Sequence, residues 1–285
     1  MTAHTLDGKK LAAQLEGEVK EAVSAHVASG GATPSLAVIL VGDDPASVRY
    51  VTHKVAACER VGITSRCYRF PADTSEEEVA ECIDTLNADD SVHAILLQCP
   101  LPDRRPVFPL LSRIRRDKDV DGLHPYNQGC LAMQNPRIRP CTPWGIMQLL
   151  TYHELDLTGA HAVIVGASNL VGRPMAWEAL LANATVTIIH RFTANVSHLV
   201  AQADLLVTAV GQRDVIDSSW IKPGAIVVDV GMNTDESGQL CGDLDAKKAA
   251  SRASWLTPVP GGVGPMTVMT LLQNTCLCAG VSLSK

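Results

Sequence analysis

This chain of 285 residues is poor in aromatic side chains: Phe, Trp and Tyr together make up 4%. Base-stacking platforms for nucleic acid are therefore not expected. A basic run is missing as well, and a net charge of −6 argues against a polyanion-binding surface. No apolar run approaches the roughly 20 residues that span a bilayer, and residues 1–10 lack the apolar core of a signal peptide. The nine cysteines include no C-x-x-C pair, and the nine histidines form no H-E-x-x-H cluster. Neither a disulfide framework nor a metal site is expected from such spacing. Cys276 and Cys278 fall in an apolar helical pattern, where small buried thiols are at home. These absences point to a cytoplasmic globular protein with no nucleic-acid, membrane or metal partner. Length and an apolar content of 46% allow about two domains with well-buried cores.

What is present is strand–helix alternation, and one turn within it stands out. The run Val163-Ile164-Val165 ends in Gly166-Ala167-Ser168-Asn169-Leu170-Val171-Gly172-Arg173-Pro174, after which a helical pattern begins. A strand, a turn of small residues and a helix N-terminus together present backbone N–H groups and a positive dipole end to a pyrophosphate. The spacing departs from G-x-G-x-x-G: Ser168 holds the second glycine position, and the last glycine comes one residue late, at Gly172. By itself such a loop is equally an ordinary strand-to-helix turn.

A further absence sharpens the reading. A second strand is predicted over 185–190, and an NAD site usually ends that strand with Asp or Glu on the ribose hydroxyls. Between Asn183 and His198 there is no acidic residue, and Arg191 follows the strand. A guanidinium there binds a 2′-phosphate that a carboxylate would repel, although a solvated surface arginine would look the same. We read NADP as the preferred cofactor. Two more apolar runs, 204–211 and 225–231, end in glycine as buried parallel strands do. Their carboxyl ends place Gly211, Gly231 and Met232 beside the cofactor, whereas Asp229 reads as a structural hydrogen-bonding group.

The first half carries no glycine-rich phosphate loop. It predicts a helix over 9–26, a strand over 36–41 and a helix from Pro45 to Val61 with Asp44 as N-cap and Gly62 as stop. A strand over 64–70 and a helix opened by the capping box Ser75/Glu78 follow, then a strand over 93–98. The predicted architecture is α/β with two domains. An N-terminal substrate domain spans 1–140 plus 270–285, and a Rossmann-type domain spans 141–269. Thr142 is the expected N-cap of the linking helix, and the C-terminal helix, over 265–279, is expected to pack back on the first domain.

Several residues could carry chemistry. Tyr50 and Lys54 share a helix face with Ser47, which suits an acid–base group beside an aromatic platform. A surface lysine beside a half-buried tyrosine has the same spacing. Gln98 ends a buried strand ahead of Pro100 and Pro102. Asp121 lies in Lys118-Asp119-Val120-Asp121-Gly122, where aspartate is also a common turn former. Pro260, Gly261 and Gly262 belong to a stiff, close-approach loop that an interdomain hinge would resemble.

Taken in order, these segments resemble one family over nearly the whole chain: the bifunctional methylenetetrahydrofolate dehydrogenase/methenyltetrahydrofolate cyclohydrolases. The matching stretches are Val41-Gly-Asp-Asp-Pro-Ala-Ser47, Tyr50-Val-Thr-His-Lys54, Gln98-Cys-Pro-Leu-Pro102, Lys118-Asp-Val-Asp-Gly122, Arg139-Pro-Cys-Thr-Pro143, 166–174 and 258–267. The resemblance implies NADP-dependent oxidation of 5,10-methylenetetrahydrofolate and hydrolysis of the methenyl product to 10-formyltetrahydrofolate, in one-carbon metabolism that feeds purine biosynthesis. It implies Lys54 as the acid–base lysine, with Gln98 orienting it. Tyr50 would stack on the folate, Asp121 would pair with the pterin edge, and Pro260, Gly261 and Gly262 would also meet the substrate. On the cofactor side it implies Gly166, Ala167, Ser168, Gly172, Arg173, Arg191, Gly211 and Met232, and a homodimer as the assembly. Two residues depart from the family pattern. Cys99 stands where leucine is usual, and Ala167 stands where many members have arginine, which leaves Arg191 and Arg173 for the 2′-phosphate. A member that keeps only one of the two activities would read alike.

Overall fold

A computed structural model of the chain describes residues 3–283. It begins with strand β1 (His4–Thr5) and helix α1 (Gly8–Ala28). The chain divides into two compact units: one takes the residues up to Ala13 with Thr142–Thr267, the other Gln14–Cys141 with the residues from Val268 on.

In the unit of Gln14–Cys141, parallel strands β2 (Ser35–Val41), β3 (Thr64–Phe70) and β4 (Ala94–Leu97) lie in the order β3-β2-β4. SLAVILV of the central strand β2 is buried almost throughout, and AILL of β4 is buried as well. Helix α2 (Pro45–Val61) is cut to length by its own ends. The Asp44 carboxylate accepts from Ser47 N, Pro45 fills a position with no donor to lose, and Gly62 turns out at φ +81°. Helix α3 (Glu76–Ala88) opens with the expected reciprocal bonds between Ser75 and Glu78. Two short helices, α4 (Phe108–Arg113) and α5 (Pro125–Ala132), had no signal strong enough to predict them. α5 is capped by an imidazole, His124 Nδ1 accepting from Tyr126 N at 3.0 Å. Between them, Asp119 makes an isolated parallel bridge with Ile95, a one-residue continuation of the sheet.

Helix α6 (Cys141–Tyr152) begins one residue before the expected N-cap. Thr142 therefore lies in the first turn, and its hydroxyl faces that of Thr267 at 3.0 Å. The Rossmann unit follows with β5 (His161–Val165), α7 (Gly172–Leu181), β6 (Thr185–Ile189), α8 (Val196–Val200), β7 (Leu205–Thr208) and β8 (Ile226–Asp229). A small hairpin, β9 (Asn233–Thr234) with β10 (Leu240–Cys241), precedes α9 (Ala246–Ala250), β11 (Trp255–Leu256) and α10 (Val263–Cys278). The six-stranded sheet has the order β1-β11-β8-β7-β5-β6 with every neighbouring pair parallel. β5 lies between β6 and β7, so the chain leaves it first to one side and then to the other. The loop after β5 is thus the topological switch point, where open α/β sheets bind ligands.

The expected first domain, 1–140 plus 270–285, and the contact-defined unit differ at the N-terminus, where residues 3–13 cluster with Thr142–Thr267. β1 pairs with β11, with His4 opposite Trp255, and Leu6 N donates to Leu256 O at 2.9 Å. A two-residue strand is too short to show any hydrophobic period. At the other end the C-terminal helix returns as expected, its residues from Val268 on clustering with Gln14–Cys141. Among the described residues no helix is long and apolar enough to cross a membrane, and no cluster could hold a metal ion.

Candidate active site

Helix α2 buries Ser47, Val51, Lys54, Ala57, Cys58 and Val61 along one face. Lys54 is thus carried inward by its apolar neighbours and is only 7% exposed. Gln98 follows the buried strand β4, where its backbone N–H donates to Ile39 O at 2.9 Å. Lys54 Nζ donates to Gln98 Oε1 at 3.1 Å, joining two predicted residues 44 positions apart in sequence. The other end of the same amide donates from Nε2 to Cys99 O at 2.7 Å. That bond fixes the amide: its oxygen faces the lysine, and a flipped amide would set donor against donor. The loop leaves through a cis Cys99–Pro100 peptide.

Tyr50 lies one turn before Lys54 and is half-buried. Burial pushes its phenol above the usual value, with Arg49 opposing weakly, so the ring remains neutral at physiological pH. Asp121 is held by what surrounds it in the segment 118–122. Lys118 Nζ donates to the carbonyls of Leu86, Asn87 and Asp89 at 3.0, 3.1 and 2.8 Å, closing the C-terminus of α3. The buried Asp119 carboxylate accepts from Leu123 N at 3.1 Å, His124 N at 2.8 Å and Asn127 Nδ2 at 2.8 Å. Desolvation pushes Asp119 up to about 6, against those bonds. The thiol of Cys99 is pushed up to about 12, by burial first and then by Asp121, with Lys54 opposing. The buried Cys141 thiol is raised well above its ordinary value, by burial first and then by the same carboxylate, with the same lysine opposing. Lys54, Gln98, Cys99, Asp121 and Cys141 therefore form one electrostatic neighbourhood within a single unit. The cysteine that replaces the usual leucine is a neutral thiol in that neighbourhood.

In the Rossmann unit, the β5–α7 loop needs its glycines. Gly166 has φ +117°, and a Cβ there would lie 2.4 Å from Ala209 O. At Gly172 a Cβ would fall 1.9 Å from Gly166 O. The late glycine is explained by Ser168, whose hydroxyl accepts from Val171 N at 3.1 Å and Gly172 N at 3.4 Å. The serine hydroxyl thus takes up the N–H groups of Val171, the N-cap of α7, and of Gly172, its first residue. Arg173 Nε donates to Ala167 O at 3.1 Å, bracing the loop. Arg191 is exposed just after β6, with its guanidinium 4.7 Å from the Phe192 ring centroid. Gly211 (φ +68°) and the 44%-exposed Met232 follow β7 and β8 at the same end of the sheet.

Pro260, Gly261 and Gly262 belong to the Rossmann unit rather than to that of Lys54. Their loop has a cis Val259–Pro260 peptide, and Gly261 O accepts from Lys9 N at 2.9 Å. A Cβ on Gly8 would lie 1.8 Å from Gly262 O, so the two backbones touch. Four residues around these sites were given no role by the sequence reading: Lys118 and Cys141, which fell only within matched segments, and Asp243 and Asn274, whose bonds to Val210 N and Val120 O tie distant segments. A buried cation capping a helix, or a carboxylate serving loops far away in sequence, leaves no local pattern. Only the Arg139-Pro-Cys-Thr-Pro143 match pointed near Cys141.

Residues 6–121 match the catalytic domain of the tetrahydrofolate dehydrogenase/cyclohydrolase family, and residues 140–282 match its NAD(P)-binding domain. The fold agrees with the bifunctional methylenetetrahydrofolate dehydrogenase/cyclohydrolase of Campylobacter jejuni at 47% identity and a TM-score of 0.94, over 98% of this chain and 99% of that one. The Trypanosoma brucei methylenetetrahydrofolate dehydrogenase-cyclohydrolase, solved with NADP and an inhibitor, agrees at 34% identity and a TM-score of 0.93, over 98% of each chain. A methylenetetrahydrofolate dehydrogenase from the silkworm Bombyx mori is 37% identical with a TM-score of 0.90, again over 98% of each chain. Shikimate dehydrogenases at 10–14% identity share the fold alone. With both of its domains matched in order, the chain belongs to the tetrahydrofolate dehydrogenase/cyclohydrolase family.

Proposed function

We propose that this chain oxidises 5,10-methylenetetrahydrofolate with NADP and hydrolyses the methenyl product to 10-formyltetrahydrofolate. The observation that carries the reading is the buried Lys54 directed onto Gln98 at 3.1 Å, in one neighbourhood with Asp121. NADP, when bound, takes up the hydride from the methylene bridge. The Rossmann unit fits it: the glycines after β5 clear space for backbone approach at a helix N-terminus, and Arg191 and Arg173 would be the groups to hold a 2′-phosphate.

The folate side does the positioning and the proton work. Tyr50 supplies a ring face for stacking, and the Asp121 carboxylate accepts from the two-donor edge of the aminopyrimidine. In the second step water adds to the methenyl carbon and loses a proton. The bond from that carbon to N5 then breaks as N5 takes a proton and the new hydroxyl gives up its own to become the formyl carbonyl, so one proton is released overall. Lys54 is the group that accepts and returns these protons, and Gln98 holds its Nζ in one direction. The protein acts as a cytoplasmic homodimer assembled through the Rossmann units, and its product supplies formyl groups for purine biosynthesis. Light scattering at micromolar concentration tests the assembly, a stable monomer being the contrary result.

A spectrophotometric assay with methylenetetrahydrofolate, following NADPH and the methenyl product separately, tests the reading. NADPH should form while the methenyl compound stays transient. NADPH forming with persistent methenyl product would leave only the dehydrogenase, and inertness with both NADP and NAD would remove the assignment.

A further inference from the structure

The C-terminal helix α10 returns one buried amide to the unit of Gln14–Cys141. Asn274 is 5% exposed, and its Nδ2 donates to Val120 O and Arg139 O, both at 2.9 Å. The same nitrogen lies 3.6 Å from Cys141 Sγ. One NH₂ group therefore ties together two chain segments that its own helix follows by more than a hundred residues in sequence. Those segments meet directly as well. Cys141 N donates to Asp121 O at 3.3 Å, and a Cβ on Gly122 would lie 2.6 Å from the Arg139 carbonyl carbon. The Cys141 thiol donates to Val120 O at 3.4 Å, beside the residue whose carbonyl its own backbone N–H meets. Contacts thus run from Asn274 through Cys141 to Asp121, and from Asn274 to the peptide just before Asp121.

The chemistry of the position is specific. Two carbonyl oxygens converge on one nitrogen, so the residue must supply two donors from a single atom, which among short side chains only an amide does. A serine supplies one donor, an aspartate none. On its other side Asp121 is framed by Lys118, Asp119 and Gln128, whose Nε2 donates to Gly122 O at 2.9 Å. The backbone of 118–122 is bonded on both flanks, and the Asp121 carboxylate is the group those bonds present.

We propose that Asn274 is a positioning residue for folate recognition, setting the Asp121 carboxylate through Val120, Arg139 and Cys141. The inference rests on the reading of Asp121 as the pterin-binding carboxylate. The test is a double-mutant cycle read in the cyclohydrolase assay with methenyltetrahydrofolate. Asn274→Ser should raise the folate KM about fivefold to tenfold, with kcat changed less than about threefold and NADP affinity unmoved. In an Asp121→Ala background the same substitution should add almost nothing to the folate KM. Cys141→Ala, which interrupts the same relay midway, carries the same expectation should Asn274→Ser not be recovered folded. A purely structural asparagine would lower thermal stability and active fraction and leave the KM in place; that outcome overturns the proposal. So do effects that multiply with those of Asp121→Ala. If Asp121→Ala alone leaves the folate KM unchanged, the reading of Asp121 has failed, and the proposal falls with it.

Discussion

Asp243 donates its backbone N–H to the carboxylate of Asp229 at 2.9 Å, and the two acids together clasp the loops at the carboxyl end of the Rossmann sheet. Asp229 also accepts from Gly231 N and Leu244 N, each at 2.9 Å. Asp243 accepts from Val210 N at 2.8 Å and Gly211 N at 3.2 Å on one oxygen, and from Asn233 Nδ2 at 2.9 Å on the other. The packing leaves no room for side chains: a Cβ on Gly231 would lie 2.2 Å from Asp243 Oδ1, and one on Gly242 2.1 Å from Asp229 Oδ2. Asp243→Ala should free the Val210–Gly211 turn and lower NADP affinity about tenfold or more, since a hydrogen bond to a carboxylate contributes roughly 1.5–3 kcal/mol. Hydrolysis of supplied methenyltetrahydrofolate should persist. NADP titration of the variant decides; unchanged affinity would detach the clasp from the cofactor.

Two glycines of that unit should respond differently to alanine. At Gly172 the new methyl would meet Gly166 O at 1.9 Å, so the loop must open or α7 must withdraw. Gly172→Ala should abolish NADPH formation while the protein stays folded. At Gly211 no atom lies within 4 Å of the built Cβ, and only the backbone at φ +68° resists. Gly211→Ala should cost about 1–2 kcal/mol of stability and retain turnover. Thermal melts beside the NADPH assay separate the two, and equal loss of activity in both would contradict the loop geometry.

The uneven legibility of the sequence follows from the range of each interaction. Helix α2 could be bounded to the residue because Asp44, Pro45 and Gly62 act within one turn of where they stand. The capping box of Ser75 and Glu78 is equally local. The Lys54–Gln98 contact needed the β2–β4 pairing to bring two segments together, and spacing alone could not separate Lys54 from a surface lysine. The family pattern did. Asn274, Lys118 and Asp243 each reach partners 29 or more residues away, up to 154 for Asn274, and nothing near them in sequence names those partners. β1 was missed for the opposite reason: two residues carry too little pattern to be seen.

Asp119 gives a pH signature of stability. Burial raises its folded pKa to about 6 from an ordinary value near 3.8. The folded state therefore holds the proton more tightly than the unfolded state between those values. Stability contributed by this group is present at low pH and is lost as pH rises from about 4 to about 6, after which the curve is flat. The loss is on the order of 1–3 kcal/mol. Surface acids held low by ion pairs, such as Asp84 beside Arg113, slope the other way. The measurement is therefore the difference between wild type and Asp119→Asn in urea unfolding across pH 4–7. Relative to the variant, the wild type should weaken across that window. A wild type that strengthens instead would mean that the bonds from Leu123, His124 and Asn127 outweigh burial.

On the proposed reading cofactor choice rests on Arg191, which stands exposed after β6 where an NAD site would carry a carboxylate. Arg191→Ala should weaken NADP binding about tenfold to a hundredfold, the size of a charge-assisted phosphate contact. NAD binding should change little. Equal losses for both would place this guanidinium away from the 2′-phosphate. In that case Arg173, already bonded to Ala167 O, becomes the group to substitute.

On the proposed mechanism Lys54 should separate the two chemical steps. Hydride transfer needs folate and nicotinamide held in register, whereas opening the methenyl ring requires protons to move, and Lys54 carries the amine that Gln98 directs. Lys54→Met keeps most of the side-chain length within the buried face of α2 and removes the amine, so the helix and the Tyr50 ring should stay in place. Cyclohydrolase turnover should fall by about 10²–10⁴-fold, the range typical of losing a general acid–base group. The dehydrogenase should lose less, so methenyltetrahydrofolate accumulates as released product. Gln98→Leu tests the orientation separately: the lysine remains but loses its 3.1 Å partner, and the hydrolysis should fall less than in Lys54→Met. Undiminished cyclohydrolase turnover in Lys54→Met would falsify the assigned role, and with Asp121 and the neutral thiols of Cys99 and Cys141 as the neighbouring groups, Asp121 would be the next base to test.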